Sequence, residues 1–390
     1  MTARPDLAVY LPSLDGGGAE IVMLRLAIAL AETGTRTDLV LAQARGPYLE
    51  EVPDSVRLVD LAATSPVVVT KAAKLVGYLR REQPSTILSA LDVVNTALIA
   101  RAIAGVPTRV LLTVHTHLSR QFEDKPDLGV AWVRRALIRL LYPRTDRLIA
   151  VSRGVADDVA RIAGLASDRV QVIPNPVITD ELAQRAHEPV DHPFLRPGQP
   201  PVVLAVGRLV RQKDYPTLVE SFSLVRAKRP ARLLILGDSD PREPHVQSRL
   251  EAQVRELGLK EDVSLAGFVA NPQAFMARAA VLAMSSIYEG LPTVITEALA
   301  VGATVVATDC ESGPREILDG GRFGTLVPVG DREALARGIL DALDSPRDGD
   351  LLRARADDYR VPRAAAQYLR VIEEVTASGA SRGGGRGEPA

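Results

Sequence analysis

The 390-residue chain sets 47 basic against 48 acidic side chains, a formal net charge of −1, and is 46% apolar and 24% charged. Those proportions exclude a disordered polymer, and near-neutrality excludes a global field toward nucleic acid, so no nucleic-acid partner is expected. The length predicts two domains, the lone Cys310 leaves no internal disulfide, and no run nears the roughly 18–20 apolar residues that cross a bilayer. With no cationic and apolar leader at the N-terminus, a cytoplasmic protein is expected.

In chain order, Leu7–Leu11 reads as a short strand, Ser13-Leu-Asp-Gly-Gly-Gly18 as a glycine-rich turn, and 19–33 as a helix with Ile21, Leu24, Ile28 and Ala31 at helical spacing. Strand, glycine loop and helix open a Rossmann unit. The spacing is not G-x-G-x-x-G, so a nicotinamide dinucleotide is not expected. Gly16, Gly17 and Gly18 either let another molecule approach the backbone or simply make a tight turn. Strands at 38–42, 86–89 and 109–114 alternate with helices at 71–83 and 94–104, the signature of a doubly wound α/β domain. His115 stands directly after the last of these strands, where such folds place ligands; His117 follows two residues on.

The segment 132–142, Trp-Val-Arg-Arg-Ala-Leu-Ile-Arg-Leu-Leu-Tyr, is a helix with a heavy arginine load. At about 100° per residue Arg135 and Arg139 share one face, while Val133, Leu137, Leu140 and Leu141 share the other. Arg134 falls inside the apolar sector, which suits a membrane surface where it can snorkel, and Arg144 and Arg147 extend the basic patch. A core helix with a solvated basic face is the competing reading; the membrane hypothesis places 132–147 against an anionic inner membrane face. Strands at 148–152 and 170–173 and then Pro174-Asn-Pro-Val close the first domain, residues 1–180. The proline- and charge-rich stretch 181–200 reads as a linker.

The second domain, 201–360, opens with a strand at 201–206 and then Gly207-Arg-Leu-Val-Arg-Gln-Lys-Asp214. A glycine turn with cations at Arg208 and Lys213 offers backbone approach and positive charge to a diphosphate. A helix at 217–228 and a strand at 233–237 follow. Asp238-Ser-Asp240 has the form of a metal and diphosphate grip used by single-domain transferases, but here it more simply begins a loop, and no metal is expected. After a buried strand at 279–284 comes Ser285-Ser-Ile-Tyr-Glu-Gly-Leu-Pro-Thr, then a helix over 293–301 ended by Gly302. The open amides of a helix N-terminus at Gly290, Leu291, Pro292 and Thr293 seat an anion, although proline contributes no N–H. Glu289 and Glu297 would repel phosphate and instead suit hydroxyl groups. Hydroxyls flanking a phosphate describe a nucleotide sugar. A strand at 324–327, helices at 332–343 and 361–376, and a glycine-rich tail at 377–390 expected to be disordered complete the chain.

Glu289-Gly-Leu-Pro followed by Glu297 resembles the Glu-x7-Glu signature of the family 4 retaining glycosyltransferases, and Thr308-Asp-Cys-Glu-Ser-Gly-Pro-Arg-Glu-Ile-Leu318 is similar to that family's next loop. Gly207-Arg-Leu followed by Lys213, and Gly267-Phe-Val-Ala-Asn, resemble two more of its motifs, in the expected order. The resemblance implies a GT-B fold, two Rossmann-like domains facing each other across a cleft, with the helix 361–376 crossing back to the first domain. It implies that Arg208 and Lys213 hold the donor phosphates, Glu289 the sugar hydroxyls and Glu297 the ribose. The backbone of Val269 would hold the base, and His115 would contact the donor sugar near the reacting centre. Gly16–18 would lie near donor phosphate and acceptor.

The implied activity is retaining, metal-independent transfer of a hexosyl or N-acetylhexosaminyl group from a nucleotide-sugar donor, a UDP-sugar by the Ser-Gly-Pro-Arg-Glu-Ile variant. The acceptor would be a glycan, a lipid-linked glycan or a small molecule. The nucleotide sugar is a substrate, and no cofactor is expected. A nucleotide-sugar epimerase of the same architecture, or a non-catalytic sugar-nucleotide-binding partner of another transferase, are the alternatives.

Overall fold

The structure is a computed structural model that describes residues 4–63, 68–91, 95–124 and 128–383. These divide into two compact units, one of residues up to 176 with those from 361 onward, the other of residues 177–360. Each is built around its own parallel sheet.

The first unit's strands are β1 (Leu7–Leu11), β2 (Thr37–Leu41), β3 (Arg57–Asp60), β4 (Thr86–Ala90), β5 (Arg109–Val114), β6 (Arg147–Ala150) and β7 (Val170–Val172), in the order β3-β2-β1-β4-β5-β6-β7. β1, β2 and β4 are buried at every residue, as parallel strands covered on both faces require. The edge strand β3 is largely exposed and carries Arg57, which is why its apolar signal is faint. The helix Gly18–Glu32 buries Met23, Leu24 and Leu30 against β1. The helix Val361–Gly383 brings Tyr368, Val371 and Ile372 into the same core. This last helix runs beyond 376, so residues 377–383, expected as disordered tail, continue it; the rest of that tail lies outside the described residues.

The second unit's strands are β8 (Val202–Val206), β9 (Arg232–Leu236), β10 (Val263–Gly267), β11 (Val281–Met284), β12 (Val305–Thr308) and β13 (Thr325–Val327), in the order β10-β9-β8-β11-β12-β13. Phe222, Leu218 and Ile235 centre its core. Residues 181–200, expected as a linker, instead fold onto this unit. Helix Glu181–His187 buries Leu182 and Ala186, Asn271 donates to the Arg185 carbonyl at 2.8 Å, and His192 stacks edge-on against Phe194 and Phe275. The chain passes between units at 176/177 and 360/361.

Strand order reverses between β1 and β4 in one unit and between β8 and β11 in the other. Connections on either side of such a point leave the sheet in opposite directions and open a crevice at the strands' carboxyl ends. The loops that follow β8 and β11 carry Arg208, Lys213 and Glu289. The loop that follows β1 carries Gly16–Gly18, and His115 follows β5, one strand beyond β4.

Candidate active site

In the second unit the loop after β8 turns at Gly207 and closes with a 3-10 turn at Arg211–Lys213. Ile287 donates its amide to the Gln212 carbonyl at 2.8 Å, Gln212 Nε2 donates to the Tyr288 carbonyl at 2.8 Å, and Ser285 Oγ donates to the Lys213 carbonyl at 2.7 Å. These bonds bring the loops after β8 and β11 together, and the side chains follow. Lys213 Nζ lies 2.7 Å from Glu289 Oε1, with 19% and 10% of the two side chains exposed. Two residues 76 apart in sequence thus form one nearly buried ion pair at the switch point. The Glu289 charge also reaches the buried Tyr215 hydroxyl and Cys310 thiol, both pushed well above their usual range chiefly by burial and then by that carboxylate.

Gly290, Leu291 and Pro292 are buried and lead into helix Thr293–Ala300, where Pro292 at the N-cap position has no side-chain acceptor to offer. Thr293 and Glu297 are half-buried and, four residues apart, share one face of it. The loop after β12 holds this approach in place: the Glu289 amide donates to the Glu311 carbonyl at 3.3 Å. Gly313, at φ +92°, packs so closely that an added Cβ would lie 2.9 Å from the Gly290 carbonyl oxygen and strike the Pro292 ring.

Arg208, the other expected phosphate ligand, donates from Nη1 to Asp240 Oδ2 at 2.7 Å, with 52% of its side chain exposed. Asp238 and Asp240 therefore meet protein donors: Asp240 takes both Arg208 and Arg242, and Asp238 Oδ1 accepts the Phe268 amide at 3.0 Å. That bond, with Gly237 N–H to the Gly267 carbonyl at 2.7 Å, sets the half-buried Val269 beside the loop after β9.

In the first unit, helix Gly18–Glu32 starts with the reverse half of a capping box, since glycine has no side chain to supply the other: the Gly17 amide donates to Glu20 Oε2 at 2.6 Å. The carboxylate occupies a donor that the glycine loop was expected to offer a ligand. Gly16 (φ +98°) makes the turn, and Gly18 is exposed. Sequence reading overlooked Glu20, although a glutamate three residues past the N-cap is one half of the capping-box pattern.

His115 is held at both ring nitrogens: Nδ1 lies 3.1 Å from Asn175 Oδ1 and Nε2 lies 3.1 Å from Thr113 Oγ1. Thr113 Oγ1 in turn lies 3.3 Å from the buried Tyr368 hydroxyl. Burial pushes the imidazole down to about 4, so it is neutral near pH 7, one nitrogen a donor and the other an acceptor. A ring so engaged must turn away from Thr113 or Asn175 before it can bond a sugar hydroxyl. His117 points elsewhere, buried with Nδ1 3.5 Å from Asp158 Oδ2.

The arginine-rich helix spans Leu128–Leu141. Its expected apolar face is not the buried one. Ile138 is fully buried, whereas Trp132, Val133 and Leu140 are exposed at 72%, 47% and 53%, beside exposed Arg135 and Arg139. The helix contacts the adjoining helix Arg153–Ala163, and its buried side, which includes Ile138, lies roughly a quarter of a turn from the sequence expectation. Arg147 leaves the basic patch to pair with Glu374 at 3.1 Å. Among the described residues no helix is long and apolar enough to cross a membrane.

Residues 16–181 match the model of "Glycosyltransferase Family 4", and residues 200–345 that of "Glycosyl transferases group 1". The phosphatidyl-myo-inositol mannosyltransferase of Mycobacterium tuberculosis is 30% identical over 300 residues, 73% of this chain and 72% of that enzyme. The chain belongs to glycosyltransferase family 4. A Campylobacter jejuni member, N-acetylgalactosamine-N,N'-diacetylbacillosaminyl-diphospho-undecaprenol 4-alpha-N-acetylgalactosaminyltransferase, is 27% identical over 93% of this chain and 99% of its own. In fold, the chain is similar to Anabaena Alr3699/HepE in complex with UDP, with a TM-score of 0.73 at 21% identity over 95% of this chain and all of that one. Its two parallel-sheet units are those of a GT-B glycosyltransferase.

Proposed function

We propose that this glycosyltransferase moves a hexosyl or N-acetylhexosaminyl group from a UDP-sugar to a hydroxyl of a glycan or lipid-linked acceptor, with retention and without a metal. The observation that carries the reading is the Lys213–Glu289 pair, set at the β8/β11 switch point beside the N-terminus of helix Thr293–Ala300. Cation, carboxylate and the positive end of a helix converge there, which suits a ligand that is diphosphate at one end and polyhydroxylated at the other. In the reaction the bond from the anomeric carbon to the diphosphate oxygen breaks, and the electron pair leaves with the diphosphate. Lys213, Arg208 and the amides at Gly290, Leu291 and Thr293 stabilise that charge, the service a divalent cation performs in other transferases. Glu289 accepts hydrogen bonds from the sugar, and Glu297 is assigned the ribose. The acceptor oxygen adds on the face the diphosphate leaves, and its proton passes to the departing phosphate oxygen. His115 is the first unit's candidate for a sugar contact, and Gly16, Gly17 and Gly18 remain candidates on the same side.

Support for uridine comes from HepE, which is similar in fold and binds UDP, and support for a lipid-linked acceptor from the undecaprenol-linked substrate in the Campylobacter relative's name. The deciding experiment incubates the enzyme with a panel of UDP- and GDP-sugars, with and without a polyprenyl-diphosphate glycan. UDP release that depends on acceptor supports transfer. Acceptor-independent interconversion of the sugar would support an epimerase instead, and anomer inversion in the product would remove retention.

A further inference from the structure

The carboxylate of Asp240 lies against Arg208 yet takes no part in the proposed reaction, and its charge has the wrong sign for a diphosphate site. It is 4% exposed. Its Oδ2 accepts from Arg208 Nη1 at 2.7 Å and from Arg242 Nη2 at 2.5 Å, while Oδ1 accepts from the Arg242 amide at 2.9 Å and Nε at 2.8 Å. The backbones beneath are joined as well: the Leu209 amide donates to the Asp238 carbonyl at 2.9 Å, and the Arg211 amide donates to Glu243 Oε2 at 2.8 Å. Arg208 is thus placed at its backbone by the strand-end loops and at its guanidinium by one buried oxygen. The Arg208 side chain remains 52% exposed, so Asp240 engages part of its guanidinium and leaves the remainder accessible.

We propose that Asp240 is a positioning residue that fixes the Arg208 guanidinium for the donor diphosphate, and that Arg242 offsets the charge this positioning introduces. The inference rests on the donor-site reading above. A long, flexible side chain that must be ordered on binding gives up rotamer freedom at that moment; one already clamped to a buried carboxylate does not. The clamp alone would cancel the charge of Arg208. One carboxylate shared by two guanidiniums leaves the trio with a net positive charge, so Arg208 is held without the site becoming neutral.

This arrangement makes a prediction whose sign separates it from simple electrostatics. If Asp240 were only a negative charge near the diphosphate, Asp240→Asn would tighten nucleotide binding. If it positions Arg208, the same variant weakens it.

Calorimetric titration of the full chain with UDP and with GDP reads this out. The expected result is a Kd raised about tenfold in Asp240→Asn, with the penalty absent when the substitution is made on an Arg208→Gln background, since contacts that act through one another are not additive. The exposed Arg242→Ala is expected to raise Kd several-fold at low ionic strength and less in high salt. Equal or tighter binding by Asp240→Asn overturns the proposal, as does the same penalty on the Arg208→Gln background, which would mark a general structural role. Failure of the wild-type chain to bind either nucleotide would overturn the donor site itself, a different outcome from a wild type that binds and an Asp240→Asn that binds equally well.

Discussion

Lys213 and Glu289 satisfy each other at 2.7 Å in a nearly buried setting, so a donor that uses both must exchange this ion pair for bonds of its own. The exchange is favourable only for a ligand with negative charge at one end and hydroxyl donors at the other, which is a filter against simple anions. On the proposed role of Lys213 in charge stabilisation, worth about 3 kcal/mol, Lys213→Ala should lower kcat/KM about 10²-fold in steady-state assays with the cognate donor. Because Gln212 also approaches Glu289, at 3.5 Å, the variant should still fold, with near-native far-UV circular dichroism; turnover near the wild-type rate would remove Lys213 from the reaction. His115 makes a prediction of opposite character. Its folded pKa, about 4, lies below the ordinary histidine value, so the unfolded chain binds the proton more readily. The histidine therefore contributes stability that is fully present above about pH 6.5 and is lost as pH falls toward 4. Urea melts of wild type and His115→Asn at pH 7 and pH 4.5 should show a decline in the wild type that is smaller by about 1–3 kcal/mol in the variant. Equal declines would mean the ring is not held neutral. Arg208, Lys213, His115 and Glu289 were legible in the sequence because each sits in a motif or at a strand end. Their partners were not: Asp240 lies 32 residues from Arg208, Asn175 60 from His115 and Tyr368 255 from Thr113, and only the folded sheet order brings them together.

At the level of elements, the helix Thr293–Ala300 works because its approach is fixed from outside. Gly313 can pack against Pro292 and Gly290 only without a side chain and at positive φ, so Gly313→Ala carries both a collision and a left-handed strain of about 1 kcal/mol. The loop should shift, and titration should show weaker UDP binding together with a melting temperature lowered by about 2–4 °C or more; unchanged UDP affinity would show that the loop is not held by this contact. The terminal helix contributes to stability. Ala364, Tyr368, Val371 and Ile372 complete the core around β1 and helix Gly18–Glu32. Leu24→Ala in that core should cost about 2–5 kcal/mol in denaturant melts. The elements that sequence reading found are those with long apolar runs or strong punctuation, such as β1, β5 and the helix after Pro292. It passed over β3, whose edge position leaves it polar, and β12, four buried residues too short to show a period. It also took Glu181–His187 for linker, because Leu182 and Ala186 are its only buried contacts and proline and charge surround them.

For the whole molecule, a net charge of −1 means that any attraction to a membrane has to be local. The exposed face of helix Leu128–Leu141 supplies the two ingredients of such a contact: Trp132, Val133 and Leu140 as apolar area, and Arg135 and Arg139 alongside as charge. The rotation of this helix relative to the sequence expectation matters here, since it turns those apolar residues outward rather than into the core. An arginine near an anionic surface contributes about 1 kcal/mol, and that attraction falls off within a Debye length, whereas buried apolar area is insensitive to salt. The two parts can therefore be separated in one experiment, co-sedimentation of the full chain with vesicles of phosphatidylglycerol and phosphatidylcholine. Arg135→Glu/Arg139→Glu should reduce binding about tenfold or more at low salt and much less at high salt. Trp132→Ala should reduce it at both, because the indole is the largest exposed apolar group on that face. Binding that neither variant changes would assign this face to solvent, and a lipid-linked acceptor would then have to reach the enzyme without it.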